Sequence, residues 1–118
     1  MIREFVMTEI KSVNTTASWH WRKRKMLVDL QKWSVKSVLE GKELPYPCKV
    51  DLVRHGSRLM DEDNLYASLK SIRDAIADKI KPGLRPGVAD GDIGIEWTYS
   101  QAKCKRLNSG VLVTITAV

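Results

Sequence analysis

Histidine and cysteine, the usual ligands of protein-bound zinc, are scarce in this chain. Only two of each occur among its 118 residues, and Cys48, Cys104, His20 and His55 show none of the paired spacings of a zinc site. Two isolated cysteines are typical of reduced, partly buried thiols in a reducing compartment. Nothing local supports a Cys–His catalytic pair either, and His55, at the end of a predicted strand, is interpreted as a structural or surface residue.

Long apolar runs are absent as well. No segment approaches the roughly 20 consecutive apolar residues of a membrane helix, and Arg3 and Glu4 interrupt any apolar run at the N-terminus. No internal repeat or low-complexity tract occurs. The content of 43% hydrophobic and 29% charged residues is that of an ordinary folded protein. We therefore expect one domain over residues 1–118, located in the cytoplasm and without a membrane partner.

Positive charge is in excess. Twenty Lys and Arg residues against fourteen Asp and Glu give a net charge of +6. In a domain this small, such an excess favours an anionic partner through long-range attraction. The alternative is that the charge serves solubility alone.

The spacing of apolar residues predicts the secondary structure. Period-two alternation predicts strands at 48–53, 93–99 and 111–117, and apolar residues of mixed facing predict a first strand at 2–10. Helical spacing predicts helices at 22–40 and 63–80. Each helix carries an apolar stripe, so we expect an α/β (α+β) domain of two layers, with two helices packed on a mixed β-sheet. The order of the strands stays open.

The first predicted helix has two apolar stripes. One contains Met26, Leu30 and Trp33, and the other contains Val28, Val35 and Leu39. This pattern predicts a helix that buries two faces. A polar loop is predicted before it at 11–18, and Gly41 provides a C-terminal stop.

An acidic motif, Asp61-Glu62-Asp63-Asn64, opens the second predicted helix. A single acid is enough to cap a helix, and acids are stabilised near a helix N-terminus. Here three acids occur in succession, which capping alone does not require. On an uninterrupted helix, Lys70 and Asp74 return to the face of Asp63, away from the core, and the Lys70 side chain leans toward the acids. The alternative is an exposed lysine paired with Asp74.

A second acidic motif, Asp90-Gly91-Asp92, follows a Pro/Gly-rich linker and precedes a strand. Turn chemistry explains it, because Asp and Gly favour turns. If the chain brings it near the first motif, the carboxylates repel one another unless a cation joins them. Mg²⁺ suits such a cluster of oxygen ligands. An EF-hand is excluded, because its sixth position requires Gly and counting from Asp61 gives Tyr66.

A basic segment with aromatic neighbours runs from Trp19 to Lys25. Its four consecutive cations oppose the favourable sign of the helix dipole, so helix stability does not account for them. Cations beside aromatic rings suit a phosphate backbone with exposed bases. The alternative is one buried tryptophan beside a solvated basic face.

Taken in order, these motifs resemble the RusA family of Holliday junction resolvases, common in bacteriophages and prophages. The matching residues are Ser12-Val13-Asn14, the basic segment, Asp61-x-Asp63-Asn64, Lys70, Asp74, Gly87-Val88-x-Asp90-x-Asp92 and Ile95. The resemblance covers residues 10–100 in outline. It implies a RusA-like fold and a homodimer that binds four-way DNA junctions. It also implies symmetric nicking of two strands in DNA recombination and repair.

The resemblance also implies roles for individual residues. Aspartates from both acidic motifs hold Mg²⁺, with Mn²⁺ as an alternative, and a helix lysine assists. These roles fall to Asp61 and Asp63, to Asp90, Asp92 or both, and to Lys70. The family's lysine usually lies one turn nearer the aspartates, where this chain has Ala67. The family's second motif usually has adjacent acids, which Gly91 separates here, so the choice between Asp90 and Asp92 stays open.

DNA contacts are predicted for Asn14 of the Ser-Val-Asn motif, for the aromatic and basic residues of the basic segment, and for one further cation. They are Asn14, Trp19, Trp21, Arg22, Lys23, Arg24, Lys25 and Arg58, with Arg54 as an additional candidate. The expected partners are branched DNA and a second copy of the chain, with no small-molecule substrate. Two other functions stay open. One is a non-catalytic DNA-binding or scaffolding protein, and the other is a protein-interaction module in which every acid is a cap or turn residue.

Overall fold

The computed structural model describes residues 1–83 and 88–118. Its strands are β1 (Ile2–Met7), β2 (Cys48–Gly56), β3 (Ile95–Lys103) and β4 (Gly110–Ala117). Its α-helices are α1 (Val13–Thr16), α2 (Trp21–Leu39), α3 (Glu62–Ser68) and α4 (Lys70–Ile80), and short 3-10 turns cover Ala89–Gly91 and Arg106–Asn108. Gly87, which the family resemblance includes just before the second acidic motif, lies outside the described residues.

The four strands form one mixed sheet in the order β1-β4-β2-β3. β4 pairs antiparallel with both β1 and β2, whereas β2 and β3 are parallel, with Cys48 opposite Ile95 and Leu52 opposite Tyr99. Parallel neighbours require a long crossover connection. Here α3, α4 and the second acidic motif all lie in that crossover, so the β2–β3 pairing positions both acidic motifs.

The core lies between one face of this sheet and helices α2 and α4. Alternate residues of the strands point into it, and the helices contribute their apolar stripes. Fully buried members include Val35, Leu39, Val50, Leu52, Leu69, Ile72, Ile76, Val111 and Ile115. The predicted two-layer α+β architecture with a mixed sheet is confirmed.

Helix α2 buries one face, not the two that its pattern predicts. Val35 and Leu39 are buried, but Met26, Leu30 and Trp33 are exposed. The prediction was wrong because the sheet and α4 cover only one side of α2, and the described residues place nothing on the other. Gly41 follows the helix at a φ of 73°, as expected for its stop.

The helix predicted at 63–80 is two helices separated at Leu69, whose φ of −93° and ψ of 1° are not helical. Asp74, predicted to face away from the core, is buried, with 7% of its surface exposed. That part of the helical-wheel prediction is wrong. Lys70, which contacts Asp74, also lies beside Asp90 of the second acidic motif.

Smaller differences concern element boundaries. The loop predicted at 11–18 contains α1, whose N-cap Ser12 accepts a hydrogen bond from the Thr15 amide at 3.2 Å. β3 begins at Ile95, so Ile93 lies outside it and is exposed. Within the described residues, no helix has the length and apolar content needed to cross a membrane.

Candidate functional site

A cluster of charged side chains joins the start of α4 to the second acidic motif. Lys70 Nζ lies 3.3 Å from both carboxylate oxygens of Asp74 and 3.9 Å from Asp90 Oδ2. Arg73 Nε donates a hydrogen bond to the same Asp90 oxygen at 3.2 Å. We call Lys70, Arg73, Asp74 and Asp90 the lysine cluster. It confirms the pairing of Lys70 with Asp74 and adds a carboxylate from another element.

Local structure fixes both halves of this cluster. Lys70 and Asp74 are i and i+4 neighbours on α4, so their side chains meet on one helix face. Asp90 arrives on the 3-10 turn Ala89–Gly91, which is anchored by the fully buried Ala89. The indole Nε1 of Trp97 also donates to the Asp90 carbonyl oxygen at 3.0 Å. The Asp90 carboxylate is thus held against α4 by packing and hydrogen bonding.

Aromatic rings connect the lysine cluster to the first acidic motif. The Arg73 guanidinium is 4.2 Å from the centre of the Tyr66 ring, a cation–π contact, and Tyr66 meets Tyr99 edge to face at 5.3 Å. Burial raises the pKa of the Tyr99 hydroxyl. Asp63 and Tyr66 share a small cavity of about 380 Å³ with Tyr99. Tyr66 therefore contacts Arg73 of the lysine cluster and lines the same cavity as Asp63.

Asp61 belongs to a different feature. It is the N-cap of α3, and its Oδ1 accepts a hydrogen bond from the Asn64 amide at 2.8 Å. Both residues line a cleft of about 700 Å³ between the carboxyl end of β2 and the start of α3. We call this the basic cleft, after the cations that line it: Lys11, Arg54, Arg58 and Arg106. Ser12 also lines it, so parts of two family-like motifs meet there.

The loop that leads into α3 is held from beneath by β2 and β3. Arg54 Nη1 donates to the Arg58 carbonyl oxygen at 2.7 Å and to Gln101 Oε1 at 3.3 Å. Gln101 also accepts from the Met60 amide at 3.0 Å and donates to the Met60 carbonyl oxygen. Burial lowers the pKa of the Arg54 guanidinium. These contacts set the position of Asp61.

Asp92 lies apart from the lysine cluster. Its Oδ1 accepts hydrogen bonds from the Tyr46 hydroxyl at 2.6 Å and from the Gly94 amide at 2.8 Å, and Lys81 Nζ lies 4.0 Å from its Oδ2. The Tyr46 hydrogen bond is the main reason that the pKa of Asp92 falls below its ordinary value. The same bond raises the pKa of Tyr46. Asp92 therefore fixes the entry to β3.

The structure does not gather the four predicted aspartates into one group. In residues 1–83 and 88–118, no set of three or more His, Cys, Asp or Glu side chains is arranged to hold a metal ion. The reason is topological. Asp61 follows the carboxyl end of β2, whereas Asp92 precedes the amino end of β3, and these ends of parallel neighbours are opposite. Their shared role as metal ligands stays a prediction.

The lysine cluster offers a smaller donor set. Mg²⁺ commonly binds only one or two protein carboxylates, together with water and substrate phosphate oxygens. Asp74 and Asp90 supply two carboxylates, 3.3 Å and 3.9 Å from Lys70 Nζ, which matches this number of protein ligands, and in this structure both are paired with Lys70. The helical wheel placed Asp74 on the face of Lys70 but did not predict its burial.

The basic segment is exposed and lies at the start of α2. Arg22, Lys23, Arg24 and Lys25 are all at the surface, as is Trp21, whereas Trp19 is partly buried. Lys23 Nζ lies 4.0 Å above the Trp19 ring, and the Arg22 guanidinium lies 5.3 Å from the Trp21 ring centre. Asn14 is exposed on α1. Of the charges and rings predicted to contact DNA, Trp19 is therefore partly buried and Arg54 is buried, whereas the others are exposed.

Three residues of these sites carry no clear signal in the sequence. Arg73 is buried in α4, where it follows the core residue Ile72, and its charge in an apolar stretch is the one hint of a special role. Tyr66 becomes relevant only through its contact with Arg73. Arg106 lies in a turn far along the chain from the rest of the basic cleft. His55 packs edge to face against Phe5 at 5.4 Å, in keeping with its predicted structural role.

Both cysteines are free thiols, with Cys48 buried and Cys104 partly buried. No protein-family model, curated protein or solved structure matches this chain.

Proposed function

We propose that this protein is an Mg²⁺-dependent endonuclease of branched DNA, of the kind that the RusA resemblance implies. We further propose that it acts as a homodimer in the cytoplasm of a bacterial host. The observation that carries the proposal is the lysine cluster, in which Lys70 lies between a carboxylate of α4 and a carboxylate of the second acidic motif. Two carboxylates supply ligands for a metal ion, and the nearby lysine supplies a positive charge for a phosphate.

Each residue of the cluster then has a chemical role. Asp74 and Asp90 would hold Mg²⁺, and Asp63, which lines the adjoining cavity with Tyr66, would act one step removed from the ion. When bound, the metal would polarise a phosphoryl oxygen and lower the pKa of a water molecule. Lys70 would stabilise the negative charge that develops on the scissile phosphate. Arg73 would orient the Asp90 carboxylate through their hydrogen bond.

The positively charged surface supports DNA as the substrate. Arg22 to Lys25 form an exposed cationic run beside two tryptophans, and the basic cleft adds further cations near Asp61. Contacts of this kind position a phosphate backbone without reading its sequence. The net charge of +6 adds long-range attraction.

The test is nicking of a synthetic four-way junction in Mg²⁺ and in EDTA. We expect wild-type protein to nick the junction in Mg²⁺ only. Asp63→Asn should slow nicking by roughly tenfold to a hundredfold, the range for groups one step removed from a metal. Junction binding should persist, because a repulsive charge is lost. Asp78→Asn, on α4 outside the cluster, is the control and should nick normally.

Two results count against the proposal. Absence of Mg²⁺-dependent nicking by the wild-type protein contradicts the activity itself. Normal nicking by Asp63→Asn removes the role assigned to that residue.

A second candidate is a DNA-binding protein without nuclease activity. It is favoured by the partners that the acids already have: Asp61 caps α3, Arg73 holds Asp90, and Tyr46 holds Asp92. It predicts junction binding that is equal in Mg²⁺ and EDTA, with no nicking. A protein-interaction module is separated from both by a salt titration, because binding to phosphates weakens steeply as salt rises.

A further inference from the structure

Arg54 is a buried cation without an acidic partner in the described part of the chain. Only 7% of its surface is exposed, and no carboxylate of residues 1–83 or 88–118 forms an ion pair with it. Its Nη1 bonds to the neutral oxygens of Arg58 and Gln101, and its buried Nε has no hydrogen-bond partner. A buried charge without a partner lowers stability, so an anion bound beside this guanidinium would be favourable.

Gly56 brings the cleft close to this guanidinium. A Cβ atom placed on Gly56 would lie 2.4 Å from Arg54 Nη2, so any side chain there would displace the guanidinium. Arg54 and Gly56 both line the basic cleft. Because Gly56 has no side chain, it leaves the Arg54 guanidinium uncovered on this side, where a group that enters the cleft can approach it.

The surroundings of Arg54 are also cationic. Lys11, Arg58 and Arg106 line the same cleft, whose lining contains only two acids, Glu9 and Asp61. Glu9 is 3.8 Å from Lys11, and Asp61 is engaged as a helix cap. The hydroxyl groups of Ser12, Thr15, Ser57 and Ser109 also line the cleft. Cations and hydroxyl donors around one opening match the oxygens of a phosphate group.

We propose that the basic cleft binds a phosphate group, with Arg54 as its buried anchor and Arg58 and Arg106 as its outer cations. A guanidinium presents several N–H donors to phosphate oxygens in a fixed plane, which suits this role better than a point charge. The phosphate is either a backbone phosphodiester of DNA, which rests on the proposed function, or a free phosphate. Both share the same recognition chemistry.

The first measurement is the binding of inorganic phosphate by calorimetry, at matched ionic strength in chloride and with EDTA present. We expect wild-type protein to bind phosphate. Arg54→Gln should bind it roughly tenfold to a hundredfold more weakly, the range for loss of a charge-assisted hydrogen bond. Arg106→Gln, a substitution of an exposed residue, should weaken binding and keeps the test valid if Arg54→Gln does not fold. Lys79→Gln, on α4, is the matched control.

The second measurement is the binding of a four-way junction to the same variants in EDTA. Weaker binding by Arg106→Gln, together with competition by inorganic phosphate, supports a DNA phosphodiester as the ligand. Phosphate binding with unchanged junction binding supports a free phosphate. If Arg54→Gln and Arg106→Gln match the wild type in both assays, or the wild type binds neither ligand, the proposal is overturned. Nicking is not measured, so failure of the nuclease proposal would leave this result intact.

Discussion

At the scale of single residues, Tyr46 and Asp92 change each other's proton affinity through one hydrogen bond. The Tyr46 hydroxyl donates to the Asp92 carboxylate at 2.6 Å. This bond lowers the pKa of Asp92 below 3.8 and raises that of Tyr46 above 10.0. The folded state therefore favours a charged Asp92 and a neutral Tyr46, and unfolding releases both preferences.

This coupling predicts a pH window for the contribution of Tyr46 to stability. The contribution of Asp92 is present above its ordinary pKa and is lost as the pH falls through the lowered value. The contribution of Tyr46 is present below its ordinary pKa and is lost as the pH rises through the raised value. Tyr46→Phe should therefore lower the free energy of unfolding most near pH 7 and less near pH 3 and pH 11.

Urea unfolding of the wild type and Tyr46→Phe at these three pH values measures the window. Tyr66→Phe, which leaves the Asp92 pair intact, is the matched control and should show no maximum near neutrality. A difference between wild type and Tyr46→Phe that is constant across the three pH values would contradict the coupling.

At the scale of elements, helix α2 shows how little its pattern says about which face is buried. Leu39 is 1% exposed and Leu30 is 54% exposed, although both belong to apolar stripes of the same helix. The difference arises because α4 and the sheet pack on one side only. Burial, not residue type, should therefore decide the energetic contribution of each leucine.

Two equal substitutions test this assignment. Leu39→Ala should lower the free energy of unfolding by about 2–5 kcal/mol, the range for loss of a buried leucine. Leu30→Ala should change it by less than about 0.5 kcal/mol, as is usual for surface substitutions. Chemical unfolding of both variants gives the comparison. Equal losses would mean that the outer face of α2 is covered.

The break between α3 and α4 at Leu69 is a second feature of the helices that the sequence did not predict. Leu65, Leu69, Ile72, Ile76 and Ile80 keep an apolar helical spacing through the break, and all five are buried. No Gly or Pro marks the position. The strands β2, β3 and β4, by contrast, were predictable because their apolar residues alternate, and Gly41 correctly marked the end of α2. The apolar pattern therefore continues through the break, and the sequence does not reveal that Leu69 leaves the helical conformation.

At the scale of the whole molecule, the parallel pairing of β2 with β3 decides which acids can meet. β2 has nine residues, so the two ends of this strand are about 25–30 Å apart. Asp61 lies beyond one end, and Asp92 lies beside the other. The sequence identified the acidic motifs, but it could not show that the crossover would separate them. It also could not show that Asp90 would reach α4 while Asp92 stays at the strand entry.

The nuclease proposal depends on that division between Asp90 and Asp92. Asp90 shares the lysine cluster with Lys70 and Asp74, whereas Asp92 is bound to Tyr46 and Gly94. If the cluster is the catalytic centre, the two acids of one motif have different functions. Two otherwise identical substitutions then give opposite results.

The most direct measurement is the rate of four-way junction nicking in Mg²⁺ by Asp90→Asn and Asp92→Asn, compared at 25 °C after circular dichroism shows that both are folded. We predict that Asp90→Asn nicks roughly a hundredfold or more slowly than the wild type, while it still binds the junction. Asp92→Asn should nick at close to the wild-type rate. Normal nicking by Asp90→Asn, or loss of nicking only in Asp92→Asn, would contradict the assignment of the centre to Lys70, Asp74 and Asp90.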